Sequence, residues 1–330
     1  MDHVDISYIS GSKFERFDVD DLPALRRRDD GVLWVDIIVC DAEARRVLSD
    51  VFGFHPIAVQ NCVERNRIPK VHAYGDHLFL VVHTPERGRG GHIHYVELDL
   101  FIGFGFVVTV HGPLNPAVDP EIALRETGAV RSRIEAGRFH PGDSVELTHA
   151  IMSGLIRTME TFLEELTEHV WGLEQRVTAG EVGNPEPFLE ELFATRHGLL
   201  ALGTMASHSR EVYGRMTTTA RLVPPERRPL LDDVVDQFQR VHSLAAAQRG
   251  YLEGVIDFYR TRTETKMTIA AERLAVVAVV TLPITALASV YGMNIIVNTE
   301  SDVPHLIIVL AIMAVTSALL LVWAKRHGWW

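Results

Sequence analysis

The 330-residue sequence predicts an α+β membrane protein with an N-terminal cytosolic α/β domain, a long helical stalk and a C-terminal two-helix transmembrane hairpin. Three observations carry that prediction. Residues 32–110 alternate short β-rich runs with shorter helical ones, and residues 144–265 repeat apolar side chains at helical spacing. Two apolar runs of 18 residues, Leu274–Tyr291 and Leu306–Trp323, follow. The expected boundaries are 1–120, 121–272 and 273–330.

In the first region Val32–Ile37, His77–His83, His92–Phe101 and Phe106–Val110 read as strands, because β-branched and aromatic residues dominate them. Pro85-Glu86-Arg87-Gly88-Arg89-Gly90-Gly91 reads as the connection between two of them. The α/β pattern stops near the Pro-rich stretch His111–Pro120. Beyond it, Leu147, Ile151, Leu155, Phe162, Leu166, Val170, Leu173 and Val177 recur at steps of three, four or seven, predicting one long helix over Ser144–Thr178. Phe188–Arg221 and Leu230–Thr265 continue in kind, separated by the Pro- or Gly-rich segments Gly180–Pro187 and Val223–Pro229.

Each apolar run, at 1.5 Å per residue, reaches about 27 Å, close to the roughly 30 Å of bilayer hydrocarbon. Glu272 and Arg273 precede the first run and Lys325-Arg326-His327 follow the second, whereas the connecting segment Ile295–His305 carries Glu300 and Asp302 and no Lys or Arg. The positive-inside tendency therefore places the loop outside and both termini in the cytosol, as expected for a multi-pass protein of the plasma or inner membrane. No apolar targeting segment is visible before the hairpin, whose preceding chain starts on the polar Met1-Asp2-His3-Val4-Asp5.

A net charge of −11 argues against nucleic acid or an anionic membrane surface as partner and suits a protein that meets cations. Cys40 and Cys62 are expected to be free thiols, since they fall in the cytosolic part and form no C-x-x-C pattern. No phosphate-binding loop, nucleophile elbow or metalloprotease helix occurs, and Gly103-Phe104-Gly105 is too short a glycine pattern to count. An ATP-driven pump and an anchored hydrolase are thereby disfavoured, and no organic cofactor is expected.

Between the two apolar runs stands Tyr291-Gly292-Met293-Asn294, preceded by Leu282-Pro283-Ile284-Thr285. In the soluble part Phe52-Gly53-Phe54-His55-Pro56 is followed by Arg67-Ile68-Pro69-Lys70-Val71, Tyr74 and Leu78-Phe79-Leu80-Val81, and Asp232-Asp233-Val234-Val235-Asp236 opens the last long helix. Together these motifs resemble the CorA family of divalent-cation transport proteins, including its zinc-transporting relatives, over most of the chain. The loop segment Val303-Pro304-His305-Leu306 departs from that family's Met-Pro-Glu-Leu. The resemblance implies a homo-oligomeric, pentameric channel in the bilayer for passive uptake of Mg²⁺, with Co²⁺ or Ni²⁺ also carried. A zinc transporter of the same family, or a membrane-anchored cytosolic protein without transport, is the alternative.

Gly292, Met293 and Asn294 are the selectivity-filter candidates. Mg²⁺ sheds its water reluctantly, and an amide oxygen accepts hydrogen bonds from coordinated water without the grip of a carboxylate, so a ring of Asn294 suits a hydrated ion. Gly292 would allow the backbone to turn there; by itself Gly-Met-Asn also reads as a helix end with a stop signal. Thr268, Ala271, Leu274, Ala278, Leu282 and Thr285 share one helix face. The resemblance implies that this face lines the pore, with Leu274 and Leu282 as dewetting constrictions, whereas periodicity alone equally fits packing against another helix.

Glu300 and Asp302 would attract cations at the outer loop. The resemblance makes Asp233 a candidate regulatory Mg²⁺ ligand between subunits, with Asp236 near it and Glu86 from the α/β domain; an acidic pair on a helix also reads as a solvated face. His92 and His94 lie on one side of a predicted strand, where they fit either a transition-metal pair or two exposed side chains.

Overall fold

The computed structural model describes residues 3–219, 223–292 and 303–326, and the chain forms two compact units, Met1–Glu253 and Gly254–Trp330. In the first, a seven-stranded sheet comprises β1 (Val4–Ser10), β2 (Lys13–Phe17), β3 (Val32–Ile37), β4 (Lys70–Ala73), β5 (His77–Arg87), β6 (Ile93–Gly103) and β7 (Phe106–Val110). Their spatial order is β2-β1-β3-β7-β6-β5-β4; β3 and β7 pair in parallel and the other neighbours are antiparallel. The helices are α1 (Leu22–Leu25), α2 (Ala42–Arg46), α3 (Pro56–Asn61), α4 (Pro120–Ala123), α5 (Arg125–Glu135), α6 (Ser144–Ala179), α7 (Pro185–Thr219), α8 (Arg228–Gly292) and α9 (Val303–Arg326).

Both sheet faces are covered. Leu33, Val35, Ile37, Phe79, Phe101 and Val108 pack with Leu48, Phe52, Phe54 and Ala58 on one side, while α6 and α7 pack on β5 and β6 on the other. A sheet buried on both faces needs apolar side chains in both phases, which is why β3 and β7 read as continuous apolar runs rather than alternating ones. Strands β1, β2 and β4 have no such run and escape sequence reading. Sequence also ends β5 too early, because pairing continues through Pro85↔Tyr95 to Arg87↔Ile93. The β4 ladder stops at Lys70↔Val81, so Pro85 lies where β5 is a free edge and its missing N–H breaks nothing on that side.

Helix α6 begins at Asp143, whose side chain accepts from the amides of Val145 and Glu146, both at 2.9 Å. It ends where Gly180 takes a left-handed φ of 80° and the amides of Gly180 and Glu181 reach the Arg176 carbonyl. All eight apolar positions that predict this helix are buried. The stalk and first apolar run form one uninterrupted helix, α8, of 65 residues and about 100 Å. Its portion in the first unit buries Leu231, Val234, Phe238, Val241, Ala245 and Leu252, a stripe at steps of three, four and seven. Arg227, just before α8, pairs with Asp143 at 2.6 Å and with Glu146 at 2.5 Å, tying the start of α8 to that of α6.

A buried polar cluster links the sheet to α5. Asp36 on β3 is 4% exposed and accepts from Thr109, with His111 Nε2 and Arg131 Nη2 each at 2.8 Å. Arg131 also pairs with Asp5 on β1, and Trp34 donates to Thr109 at 3.1 Å. Burial opposes ionisation of Asp36, yet the charges and hydrogen bonds of His111 and Arg131 outweigh it and hold the carboxyl below its usual range. Removing one partner strands the others in low dielectric. Asp36→Ala is therefore expected to destabilise the protein by about 3–5 kcal/mol, against near zero for the exposed Asp50→Ala. Chemical denaturation of the purified full chain in detergent checks this, and equal midpoints for the two variants would refute it.

His83, wholly buried on β5, places Nε2 at 2.9 Å from the Asn66 carbonyl and leaves Nδ1 without a partner. The Nε2 proton is thus used, and a second proton on Nδ1 would be buried unpaired. Burial lowers its pKa to about 4 from the ordinary 6.5. Because the folded value lies below the unfolded one, this group's contribution is complete above pH 6.5 and is lost as pH falls through about 4. The loss amounts to about 3 kcal/mol at full protonation. The thermal midpoint should drop between pH 6.5 and pH 4 less in His83→Gln than in the parent; parallel pH profiles would refute the assignment.

Candidate ion-conduction site

Helix α8 carries no charged side chain from Leu274 to Gly292, and its most apolar stretch of 18 residues has a mean hydropathy of 2.0; the corresponding stretch within Ile307–Arg326 of α9 has 2.7. Both are long and apolar enough to cross a membrane, and little of either stretch is buried in the single chain. Apolar side chains all round a helix suit hydrocarbon or neighbouring helices rather than water. Pro283 lies inside α8 without ending it.

Thr268, Ala271, Leu274, Ala278, Leu282 and Thr285 are all exposed, Leu274 by 71% and Leu282 by 67%. At 3.6 residues per turn they occupy an arc of about 120°. Thr285 donates its hydroxyl proton to the Thr281 carbonyl at 2.8 Å, and Thr268 donates to Glu264 at 3.0 Å. A hydroxyl whose proton is so engaged offers its remaining lone pairs outward, as an acceptor suited to water on a cation.

Helical structure reaches Gly292, which has no left-handed φ and where an added Cβ would meet open space. Gly292 is the last residue of α8, and the turn expected where the helix stops falls on residues outside those described. Met293, Asn294, Glu300 and Asp302 lie outside the described residues.

Two of the candidate carboxylates in the first unit, Asp233 and Glu86, have basic partners in their own chain. Asp233 is 47% exposed, and its Oδ2 lies 2.8 Å from His149 Nε2 and accepts from Gln237 at 2.6 Å. Glu86, 24% exposed, accepts from Arg125 at 3.4 Å. Asp236 is exposed. Within one chain Glu86 and Asp233 are not brought together, and no group of three or more His, Cys, Asp or Glu able to hold a metal occurs among the described residues. Sequence reading missed His149 and Arg125, which lie 84 and 39 residues from the carboxylates they meet, with no local signal to mark them.

His92 and His94 approach edge-on with ring centroids 4.7 Å apart, but His92 precedes β6 instead of lying within it. The Asn115 amide nitrogen lies 3.1 Å from His94 Nδ1, and Nε2 abuts Gly88, so close that a Cβ there would be 2.6 Å away. His92 is exposed and His94 is half-buried. Cys40 and Cys62 are free thiols, and burial pushes the Cys40 pKa up to about 11 and that of Cys62 well above its ordinary value.

The family profile described as CorA-like Mg2+ transporter protein matches residues 29–326. The Bacillus subtilis (strain 168) protein YfjQ is 25% identical over 306 residues, covering 90% of this chain and 89% of its own. The cobalt/magnesium transport protein CorA of Thermotoga maritima is 22% identical over 339 residues, covering 99% and 92%. The complete structure of the CorA magnesium transporter from Methanocaldococcus jannaschii superimposes with a TM-score of 0.80 at 18% identity, over 100% of this chain and 99% of that one. With the profile spanning nearly all of the sequence and two apolar helices at its C-terminal end, the chain belongs to the CorA family and is a membrane-resident divalent-cation transporter, not an enzyme.

Proposed function

We propose that the chain assembles as a homopentameric channel for passive Mg²⁺ uptake, admitting Co²⁺ and Ni²⁺ as well, with both termini in the cytosol. The observation that carries this reading is the exposed arc of Thr268, Ala271, Leu274, Ala278, Leu282 and Thr285, which leads along α8 to Gly292-Met293-Asn294. Five copies of that arc facing one axis would make a narrow apolar tube with threonine oxygens at two levels. Leu274 and Leu282 would close it by dewetting. The ring of Asn294 at its outer mouth would read the hydrated ion, and Glu300 and Asp302 would raise the local cation concentration. Membrane potential supplies roughly 4–5 kcal/mol per divalent ion per 100 mV, enough to drive uptake without a nucleotide.

The test is divalent flux into liposomes, compared for Mg²⁺, Co²⁺, Ni²⁺ and Zn²⁺. Asn294→Ala removes the acceptor from every subunit, each bond being worth roughly 0.5–1.5 kcal/mol net, and should abolish selective Mg²⁺ uptake at matched levels of assembled protein. Parental flux and selectivity in this variant would sink the filter assignment. Zn²⁺ flux in preference to Mg²⁺ would favour the zinc-transporting alternative.

Regulation follows from Asp233, assisted by Asp236 and by Glu86 of a neighbouring subunit. Mg²⁺ bridging these carboxylates would offset their repulsion and favour a closed, symmetric ring. The exposed Asp233–His149 pair is worth at most about 1 kcal/mol, so a cation can displace the imidazole at small cost. Asp233→Ala should shift inhibition by internal Mg²⁺ to higher concentration; an unchanged inhibition curve would remove Asp233 from the sensor.

A further inference from the structure

A cleft of about 500 Å³ runs between α5 and α6, with the last residues of β5 in its lining. It gathers four arginines, Arg87, Arg125, Arg133 and Arg157, against three glutamates, in a chain whose net charge is −11. The glutamates are already paired: Arg87 lies 3.2 Å from Glu165, and Arg125 reaches Glu126 at 3.2 Å and Glu86 at 3.4 Å. Arg133 and Arg157 have no carboxylate partner among the described residues, Arg133 resting 5.0 Å from the Phe139 ring centroid. Two unneutralised guanidiniums on adjacent helices thus open on one cavity.

Between Arg133 and Arg157 that arrangement repels a cation and suits an anion. Each guanidinium presents a planar fork that matches phosphate oxygens two at a time. Arg125 and Arg133 stand eight residues apart on α5, about 12 Å along the helix, too far for one phosphate to meet both. The α6 wall opposite is low, because Gly154 has no side chain and a Cβ there would find its nearest neighbour 3.9 Å away. Thr161 adds a hydroxyl to the lining, and the volume lies within the range of small-ligand sites.

We propose that this cleft binds a polyphosphate chain, as carried by a nucleoside triphosphate or by inorganic tripolyphosphate. The site lies within the first unit and does not depend on how the membrane helices conduct. Arg133 and Arg157 are its principal phosphate ligands, with Arg125 shared between Glu86 and the incoming anion.

The experiment is calorimetric titration of the full chain in detergent with ATP and, separately, with tripolyphosphate, in excess chelator so that cation sites give no heat. Saturable binding is expected, weakened about tenfold by Arg133→Gln and by Arg157→Gln and unaffected by Arg46→Gln on α2. Tighter binding of ATP than of tripolyphosphate would assign nucleoside contacts as well, whereas equal binding would assign the phosphate chain alone; both support the site. Absence of saturable binding by either compound at millimolar concentration overturns it. So does unchanged affinity in both cleft variants at unaltered assembly size, or equal weakening by Arg46→Gln.

Discussion

A backbone that crosses hydrocarbon must have its N–H and C=O groups satisfied within the protein, and α8, which runs from Arg228 to Gly292, does so by its own ladder except at Pro283, which has no N–H to give the Val279 carbonyl. The same helix therefore faces two environments, and its side chains change accordingly. From Leu231 to Leu252 a single buried stripe holds it within the first unit, and from Leu274 onward apolar residues surround it. Its hydroxyls follow the backbone's rule. Thr265, Thr268, Thr281 and Thr285 each donate to a carbonyl of the preceding turn, so none depends on water to satisfy its proton.

The sheet of the first unit resolves the problem of buried charge in two opposite ways. Asp36 keeps its charge because Thr109 on β7, His111 just after it and Arg131 on α5 converge on it. Asp99, on β6, is equally buried, but neither of its oxygens has a hydrogen-bond partner. Burial and the neighbouring Glu97 push its pKa well up, so the neutral acid is the form the fold favours. One carboxylate ties strands to α5; the other is tolerated by holding its proton.

Exposure decides a third case. Glu86 and Asp233 each have a basic partner at hydrogen-bond distance, but solvent screens both pairs and makes them weak. They are therefore held less tightly than Asp36, which is locked in a desolvated network. Arg125 stands between this group and the arginine cleft, since it lines the cleft while pairing with Glu86.

The sequence by itself determined the long elements and their order. Strands β3 and β7 announced themselves by continuous apolar runs, α6 by eight apolar positions in register, and the two candidate spans by length and lack of charge. Such features depend on local periodicity, which chain neighbours suffice to express. The motif around Gly292-Met293-Asn294, with its placement after the first apolar run, was likewise legible. Edge strands β2 and β4 were not, because a strand half in water needs few apolar residues and borrows its register from a neighbour. Only the tertiary structure decided that Asp36 meets Arg131, that His149 meets Asp233, and that Arg133 and Arg157 open on one cleft. These pairings join residues distant in sequence, and long-range contacts of single polar groups leave no periodic trace in the chain that makes them.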